Sequence, residues 1–326
     1  MQTDLNDSSS ECALLKACAE HLATQLIGHE TLVRRLQIAL LTGGHLLIEG
    51  APGLAKTRAI NKFAESVSAK FARIQSTPDL LPADITGTDI YQQDTRTFKF
   101  LEGPLFNNIV LVDEINRAPP KVQSAMLEAM GEGQITSGGV SRQLDKPFMV
   151  AATQNPIEHE GTYPLPEAQK DRFMFFVDVH MPNSQTERHI LDTVLSEISN
   201  NAEVTTVNIT ATHISNASSA AKQVHLSEPV RDYIVRLTTA TRGEGLGGKP
   251  AAAIRQAASP RGSIYLAIAS KANAWLEGRD FVSPEDVALL APDVLSGRIA
   301  LQYKAVAEGV TARDVINELI AATPKV

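Results

Sequence analysis

Apolar positions along the chain recur with two different spacings. Leu14, Leu15, Cys18, Leu22 and Leu26 fall three and four residues apart, the spacing of one face of an amphipathic helix. Ser8-Ser9-Ser10-Glu11 has capping-box spacing and predicts the start of that helix. A second helix is expected from about Glu30 to Gly43-Gly44, where glycine can close it in a left-handed conformation. Short unbroken apolar runs then appear: His45 to Glu49, Phe71 to Ile74, Ile109 to Val112, Phe148 to Ala152 and Phe173 to Val177. Each has the length of a strand. Helical segments lie between several of them, notably Lys121 to Met130, which predicts an α/β domain with a largely parallel sheet. Ile90 to Leu101 and Gln134 to Leu144 interrupt that order, each with a turn signal (Asp94-Thr95-Arg96; Gly138-Gly139) between β-capable flanks, and read as hairpins projecting from the core. After Pro182 the strands are expected to cease. Helices are predicted over Glu187–Ile198, Glu228–Thr241, Ser263–Leu276 and Pro284–Leu295, and Gly243 to Ala258 reads as a loop. The organisation is an α/β domain with N-terminal helices over 1–182 and a smaller all-α domain over 183–326.

Composition narrows the functional classes. A chain of 326 residues buries a sizeable core. Its 30 basic and 37 acidic residues give a net charge of −7, which argues against a sequence-independent binder of nucleic acid or anionic membrane. Cys12 and Cys18 both fall in the first helical pattern; they read as small core-side residues rather than a disulfide or metal pair, and fit a reducing compartment. The polar start, Met1 to Ser10, lacks the order of a secretory signal, and no apolar run approaches bilayer length, so a cytoplasmic protein is expected. His180, His189, His213 and His225 show no metal-site spacing, and Trp275 sits in an apolar helix pattern as a core residue.

The run Gly50-Ala51-Pro52-Gly53-Leu54-Ala55-Lys56-Thr57 follows a strand and opens a helix. Phosphate groups need convergent backbone N–H donors, and glycine lets the main chain approach them. Lys56 would reach the β- and γ-phosphates of ATP, and the Thr57 hydroxyl would ligate Mg²⁺. Ala55 stands where a second glycine is usual, and its methyl group is expected to require a negative φ. Asn108 to Glu114 is an apolar strand ending in two carboxylates. Ligands of open α/β sheets bind at the carboxyl ends of strands, so Asp113 is placed to hold the Mg²⁺ shell and Glu114 to polarise an attacking water.

These runs, with Ala152-Thr153-Gln154-Asn155-Pro156, the stretch from Leu165 to Phe173, Arg73 to Pro82 and Ser259-Pro260-Arg261, closely resemble the MoxR family of AAA+ ATPases from about Ile27 to Leu301. In that family an alanine before the lysine is usual. The resemblance implies a P-loop AAA+ core with hairpin inserts, a helical lid, and nucleotide bound between subunits of a ring, usually a hexamer. It assigns Asn155 to sensor 1, Arg172 to the arginine finger, Arg261 to sensor 2 and Ile27-Gly28 to the segment against adenine. Taken alone, Asn155 also fits a turn before Pro156, Arg172 an ion pair with Asp171 or Glu167, and Arg261 a surface arginine at a helix start. The hairpins would face the pore or upper surface, where a client is gripped. The family implies chaperone-like remodelling, maturation or metal insertion in a client, with a von Willebrand factor A domain protein as partner. A magnesium-chelatase-like motor subunit and an ATP-dependent scaffold with little turnover are the alternatives. No nucleic-acid partner is expected, since no basic channel or DNA-binding domain is visible.

Overall fold

The five apolar runs form one sheet in a computed structural model of the chain, which describes residues 4–155, 161–199, 209–245 and 248–325. In chain order the elements open with α1 (Asp4–Gln25), α2 (Glu30–Thr42), β1 (Leu46–Gly50), α3 (Lys56–Ser66), β2 (Phe71–Gln75) and α4 (Pro82–Thr86). Next come β3 (Gly87–Gln92), β4 (Thr97–Glu102), β5 (Ile109–Asp113), α5 (Pro120–Glu132), β6 (Gln134–Ser137), β7 (Val140–Gln143) and β8 (Met149–Gln154). There follow α6 (Glu167–Lys170), β9 (Phe175–Val179), α7 (Ser184–Ser199), α8 (Ala211–Gln223), α9 (Glu228–Ala240), α10 (Gly248–Ala252) and β10 (Ile254–Gln256). The chain closes with α11 (Pro260–Leu276), α12 (Pro284–Leu295), β11 (Ala300–Leu301), α13 (Tyr303–Ala307) and α14 (Ala312–Ala322).

The chain divides into two compact units. One comprises Ala13–Leu165 and Val177–Ile214; the other takes the described residues up to Cys12, Pro166–Phe176, and the described residues from Ser215 onward. The sheet runs in the order β2-β5-β8-β1-β9, and β2 with β5, β5 with β8 and β8 with β1 are parallel pairs. Every residue of β5 is buried, as are Met149 to Thr153 of β8 and Leu46 to Ile48 of β1. Central strands covered on both faces have no solvent side, which is why these runs are unbroken rather than alternating. The edge strand β2 buries only Ile74.

His45, just ahead of β1, is buried and bonded through both ring nitrogens: Nδ1 accepts from Val150 N at 3.0 Å, and Nε2 faces the Met130 carbonyl oxygen at 3.2 Å. Burial, only partly offset by the Met130 bond, pulls its pKa down to about 4. Both hairpins form: β3 pairs β4 and β6 pairs β7, each antiparallel. Cys18 is buried beside Ser66, and Cys12 is buried with its Sγ 3.2 Å from the Trp275 carbonyl; neither cysteine forms a disulfide.

In the second unit, α9, α11, α12 and α14 pack around Tyr233, Leu266, Val287, Leu290 and Ile316, and Trp275 is buried as expected. α12 begins at a capping box of Ser283 and Asp286; Asp286 also takes two bonds from Arg279, at 2.6 and 2.7 Å, and one from Asn273 at 2.8 Å. Three expectations need correction. α1 starts at Asp4, so Ser8 to Glu11 lies inside the helix rather than at its cap. Strands do not cease after Pro182: β10 and β11 pair antiparallel. Gly243 to Ala258 is not one loop, because α10 and β10 fall within it, and residues 246–247 lie outside the described residues.

Candidate functional site

The carboxyl ends of β1, β5 and β8 lie side by side in the sheet, in the register Glu49 to Gln154 and Val112 to Ala152. Parallel strands all end on the same edge, so the loop after β1, the acid pair after β5 and Asn155 after β8 converge there. Gly50 closes β1 with no room for a side chain: a Cβ there would meet the Val179 carbonyl oxygen at 2.6 Å. The chain then turns through Ala51, Pro52, Gly53 and Leu54, and α3 begins at Lys56.

Ala55 differs from expectation. Its φ is 53° and ψ 20°, in the left-handed region, not at negative φ. Alanine tolerates that region at a cost of roughly 1 kcal/mol against glycine. The methyl group is accommodated by strain rather than by a changed backbone. Gly43 and Gly133 close α2 and α5 in the same conformation without that penalty.

Lys56 Nζ donates to the Gly50 carbonyl and, at 3.3 Å, to that of Ala51. Partial burial lowers its pKa, while the carboxylates of Asp113, Glu114 and Glu49 act to raise it. Thr57 Oγ1 donates to Asp113 Oδ1 at 3.1 Å. A hydroxyl and a carboxylate at that separation are hard oxygen donors, the set that suits Mg²⁺ directly or through its water. The residues present therefore fit that ion.

Asp113 is buried and heavily bonded. Beyond Thr57, its Oδ1 accepts from Thr153 Oγ1 at 3.2 Å, and its Oδ2 faces Arg73 at 2.7 Å from Nε and 2.6 Å from Nη2. Glu114 follows with φ 54° and ψ 51°, a left-handed conformation in a non-glycine residue. Its N–H donates to Thr153 Oγ1 at 3.0 Å, and its Oε2 accepts from Arg117 Nη1 at 2.9 Å and lies 3.5 Å from Gln75 Nε2. Such strained backbone persists only where neighbours over-determine it. Here it turns the carboxylate of Glu114 out of the strand line while that of Asp113 stays in.

Asn155 is buried directly after β8; Pro156 lies outside the described residues. Ile27 and Gly28 form the turn between α1 and α2. Ile27 lines a pocket with Leu26, Ala55, Arg58, Ile190 and Val194, next to the phosphate loop. Arg172 and Arg261 both belong to the second unit. Arg172 follows α6 and is half-buried. Arg261 is the second residue of α11, with Nη1 3.4 Å from Asp171 Oδ2.

Residues 45–175 match the family described as "ATPase family associated with various cellular activities (AAA)", and residues 250–319 match the AAA lid domain. Chaperone MoxR1 of Mycobacterium tuberculosis is 42% identical over 297 residues, 90% of this chain and 78% of that one. The chain belongs to the MoxR family of AAA+ ATPases. YeaC of Bacillus subtilis is 41% identical over 309 residues, 95% of this chain and 94% of that one. A crystal structure of a candidate ATPase from Cytophaga hutchinsonii superposes with a TM-score of 0.90 at 38% identity, covering 100% of this chain and 98% of that one. The MoxR module thus combines a nucleotide-binding AAA core with a helical lid.

Within this MoxR frame the acid pair has four close polar neighbours that the motifs did not single out: Arg73, Gln75, Arg117 and Thr153. One signal was available for two of them. β2 is an edge strand beside β5, and a charged or amide side chain near its carboxyl end must face either water or the acids next door. Arg73 and Gln75 face the acids.

Proposed function

We propose that this MoxR-family chain hydrolyses ATP with Mg²⁺ and couples the reaction to chaperone-like remodelling, maturation or metal insertion in a client protein. The observation that carries the reading is the juxtaposition of Lys56, Thr57, Asp113 and Glu114 at one sheet edge, with Glu114 turned out of the strand by its left-handed backbone. Nucleotide binding falls to the core, 1–182, and the helical lid, 183–326, adds Arg261.

The division of labour follows from the side chains. The loop from Gly50 to Thr57 wraps the phosphates with backbone N–H groups, and Lys56 adds a positive charge at the β- and γ-phosphates. Thr57 and Asp113 would hold Mg²⁺, which would supply positive charge against those oxygens. Asp113 is held in place by hydrogen bonds from Arg73, Thr57 and Thr153. Glu114 accepts a hydrogen bond from the attacking water and orients it. Arg117 and Gln75 hold the Glu114 carboxylate through Oε2. Asn155, at the end of the strand between loop and acids, orients the γ-phosphate or the water. Ile27, which lines the pocket beside Ala55, forms the wall for the adenine together with the turn at Gly28. Arg261 acts on the phosphates from the lid, and Arg172 acts on the nucleotide of the neighbouring subunit in a ring, taken as a hexamer.

Three relatives with MoxR names match this chain over 85 to 93% of its length, which favours this reading over a magnesium-chelatase-like subunit. A von Willebrand factor A domain protein is the partner that the family resemblance implies, and the two hairpins offer surfaces to grip a client. Among the described residues no helix is long and apolar enough to cross a membrane, and we place the chain in the cytoplasm. Mixing two inactive variants tests the shared site. Arg172→Ala retains its own Glu114, and Glu114→Gln retains its own Arg172. With assembly, ATP binding and subunit exchange verified, equal mixing pairs a good site with a good finger at roughly a quarter of interfaces. Recovered hydrolysis near or below that fraction supports the reading. Activity at the parental background across all mixing ratios refutes an Arg172 that acts between subunits.

A further inference from the structure

Four consecutive carbonyls, from Asp171 to Met174, are all taken up by two side chains of the lid. Arg298 donates to the carbonyls of Asp171 (3.2 Å), Phe173 and Met174 (3.3 Å), and Tyr265 Oη donates to that of Arg172 at 3.1 Å. Arg298 also donates to the Val294 carbonyl, and its Nε lies 3.1 Å from Asp171 Oδ1. Its side chain is 0% exposed, with the guanidinium carbon 4.8 Å from the Tyr265 ring centre and 5.2 Å from that of Phe176. Gly297 makes this possible: a Cβ there would lie 2.0 Å from the Phe176 ring. Burial pulls the Arg298 pKa down to about 10, against the pull of Asp171, so it stays charged near neutrality.

Asp171 carries the frame onward. Its carboxylate accepts from Ser259 Oγ at 3.0 and 2.9 Å and faces Arg261 Nη1 at 3.4 Å. Ser259 is the N-cap of α11 and accepts from the Arg261 N–H at 3.2 Å. The main chain on both sides of Arg172 and the start of the helix bearing Arg261 are thus tied to one buried guanidinium and one carboxylate. All these residues belong to the same compact unit. A planar fork of five donors suits such a fan of acceptors; an ammonium group does not.

We propose that Arg298, working with Asp171, is a positioning residue that fixes Arg172 and Arg261 on a single frame, so that a movement of the lid carries the segment around Arg172 with it. This rests on the reading of Arg172 as the residue that acts on phosphate. The test is a double-mutant cycle on the full chain: Arg172→Ala, Arg298→Lys, and the two together, each checked by thermal melting and ATP affinity. If the frame acts through Arg172, Arg298→Lys binds ATP within about threefold of wild type, yet its kcat falls about tenfold or more, with KM little changed. The double variant is then slower than Arg172→Ala by much less than the factor lost in Arg298→Lys alone, because the two changes share the loss at Arg172 and only the part through Arg261 adds. An Arg298→Lys enzyme with wild-type kcat overturns the proposal, as does a double variant whose loss is the product of the single losses. If Arg298→Lys does not fold, Asp171→Asn, which keeps the shape but drops the ion pairs, enters the same cycle under the same criteria. A wild-type rate for Arg172→Ala refutes the reading of Arg172 and the proposal with it; a slow Arg172→Ala with multiplying losses refutes the frame alone.

Discussion

Replacing Thr153 with valine should damage both stability and turnover, although Asn155, not Thr153, is the residue of its run that the sequence singles out. Its side chain is buried, with Oγ1 3.0 Å from the Glu114 N–H and 3.2 Å from Asp113 Oδ1. Valine has nearly the same shape, so the change removes one acceptor and one donor and little else. Losing a bond to a carboxylate costs about 1.5–3 kcal/mol, and a buried N–H left unpaired costs about 1–3 kcal/mol. Asp113 keeps Thr57 and Arg73, so the sum should fall toward the low end, about 2–3 kcal/mol. The second effect is on chemistry. The left-handed backbone of Glu114 stores roughly 1–3 kcal/mol, and the bond to Thr153 helps hold it. Released, the carboxylate drifts; each 1.4 kcal/mol of lost transition-state stabilisation is about tenfold in rate, so kcat should fall tenfold or more. Thr153→Ser is the control: it keeps the oxygen and loses one methyl group, at about 1 kcal/mol. Urea denaturation and steady-state phosphate release on both variants decide. If Thr153→Val matches Thr153→Ser in both assays, Thr153 does not organise the acid pair.

Three further outcomes follow from particular residues. Ala55→Gly should stabilise the protein by about 0.5–1 kcal/mol in denaturant melts, because its φ of 53° favours glycine. His45 is neutral when folded, with a pKa about 4 against 6.5 in its ordinary state, so the unfolded chain binds the extra proton first. Its contribution is complete above pH 6.5 and is lost as pH falls toward 4, by about 3 kcal/mol, and this slope should vanish in His45→Gln. Asp286→Ala should cost about 3 kcal/mol, since it strips Arg279 and Asn273 of a buried partner and removes the α12 cap, while ATP affinity stays within about twofold.

The fold was legible where one period dominates. β1, β5 and β8 are covered on both faces, so their apolar runs stand out, and α12 begins where Ser283-Pro284 marks it. The two hairpins were legible from their turn residues. What failed was local chemistry that tertiary contacts override. Ser8 to Glu11 matches a capping pattern, but the helix continues through it to Asp4. β10 is three residues long, exists only through its pairing with β11 some forty-five residues later, and leaves no period to detect. At the site, the loop, the acid pair and Asn155 were readable because they are contiguous motifs at strand ends. Thr153 and Arg298 were not: each acts through buried contacts to residues distant in sequence, Thr153 to Asp113 and Arg298 to Asp171. Ala55 is a third kind of case, because sequence alone does not say whether a loop will bend to suit a methyl group or strain to keep its path.

The account stands or falls on the separation of phosphate contact from water activation at one site. Labelled-ATP binding and phosphate release, measured side by side with Mg²⁺ on wild type, Lys56→Ala and Glu114→Gln, test it most directly. The account predicts that Lys56→Ala loses ATP affinity, because the loop loses its only side-chain cation at the phosphates, whereas Glu114→Gln binds ATP as wild type does but releases phosphate at background. Tight ATP binding by Lys56→Ala, or wild-type turnover by Glu114→Gln, would contradict it.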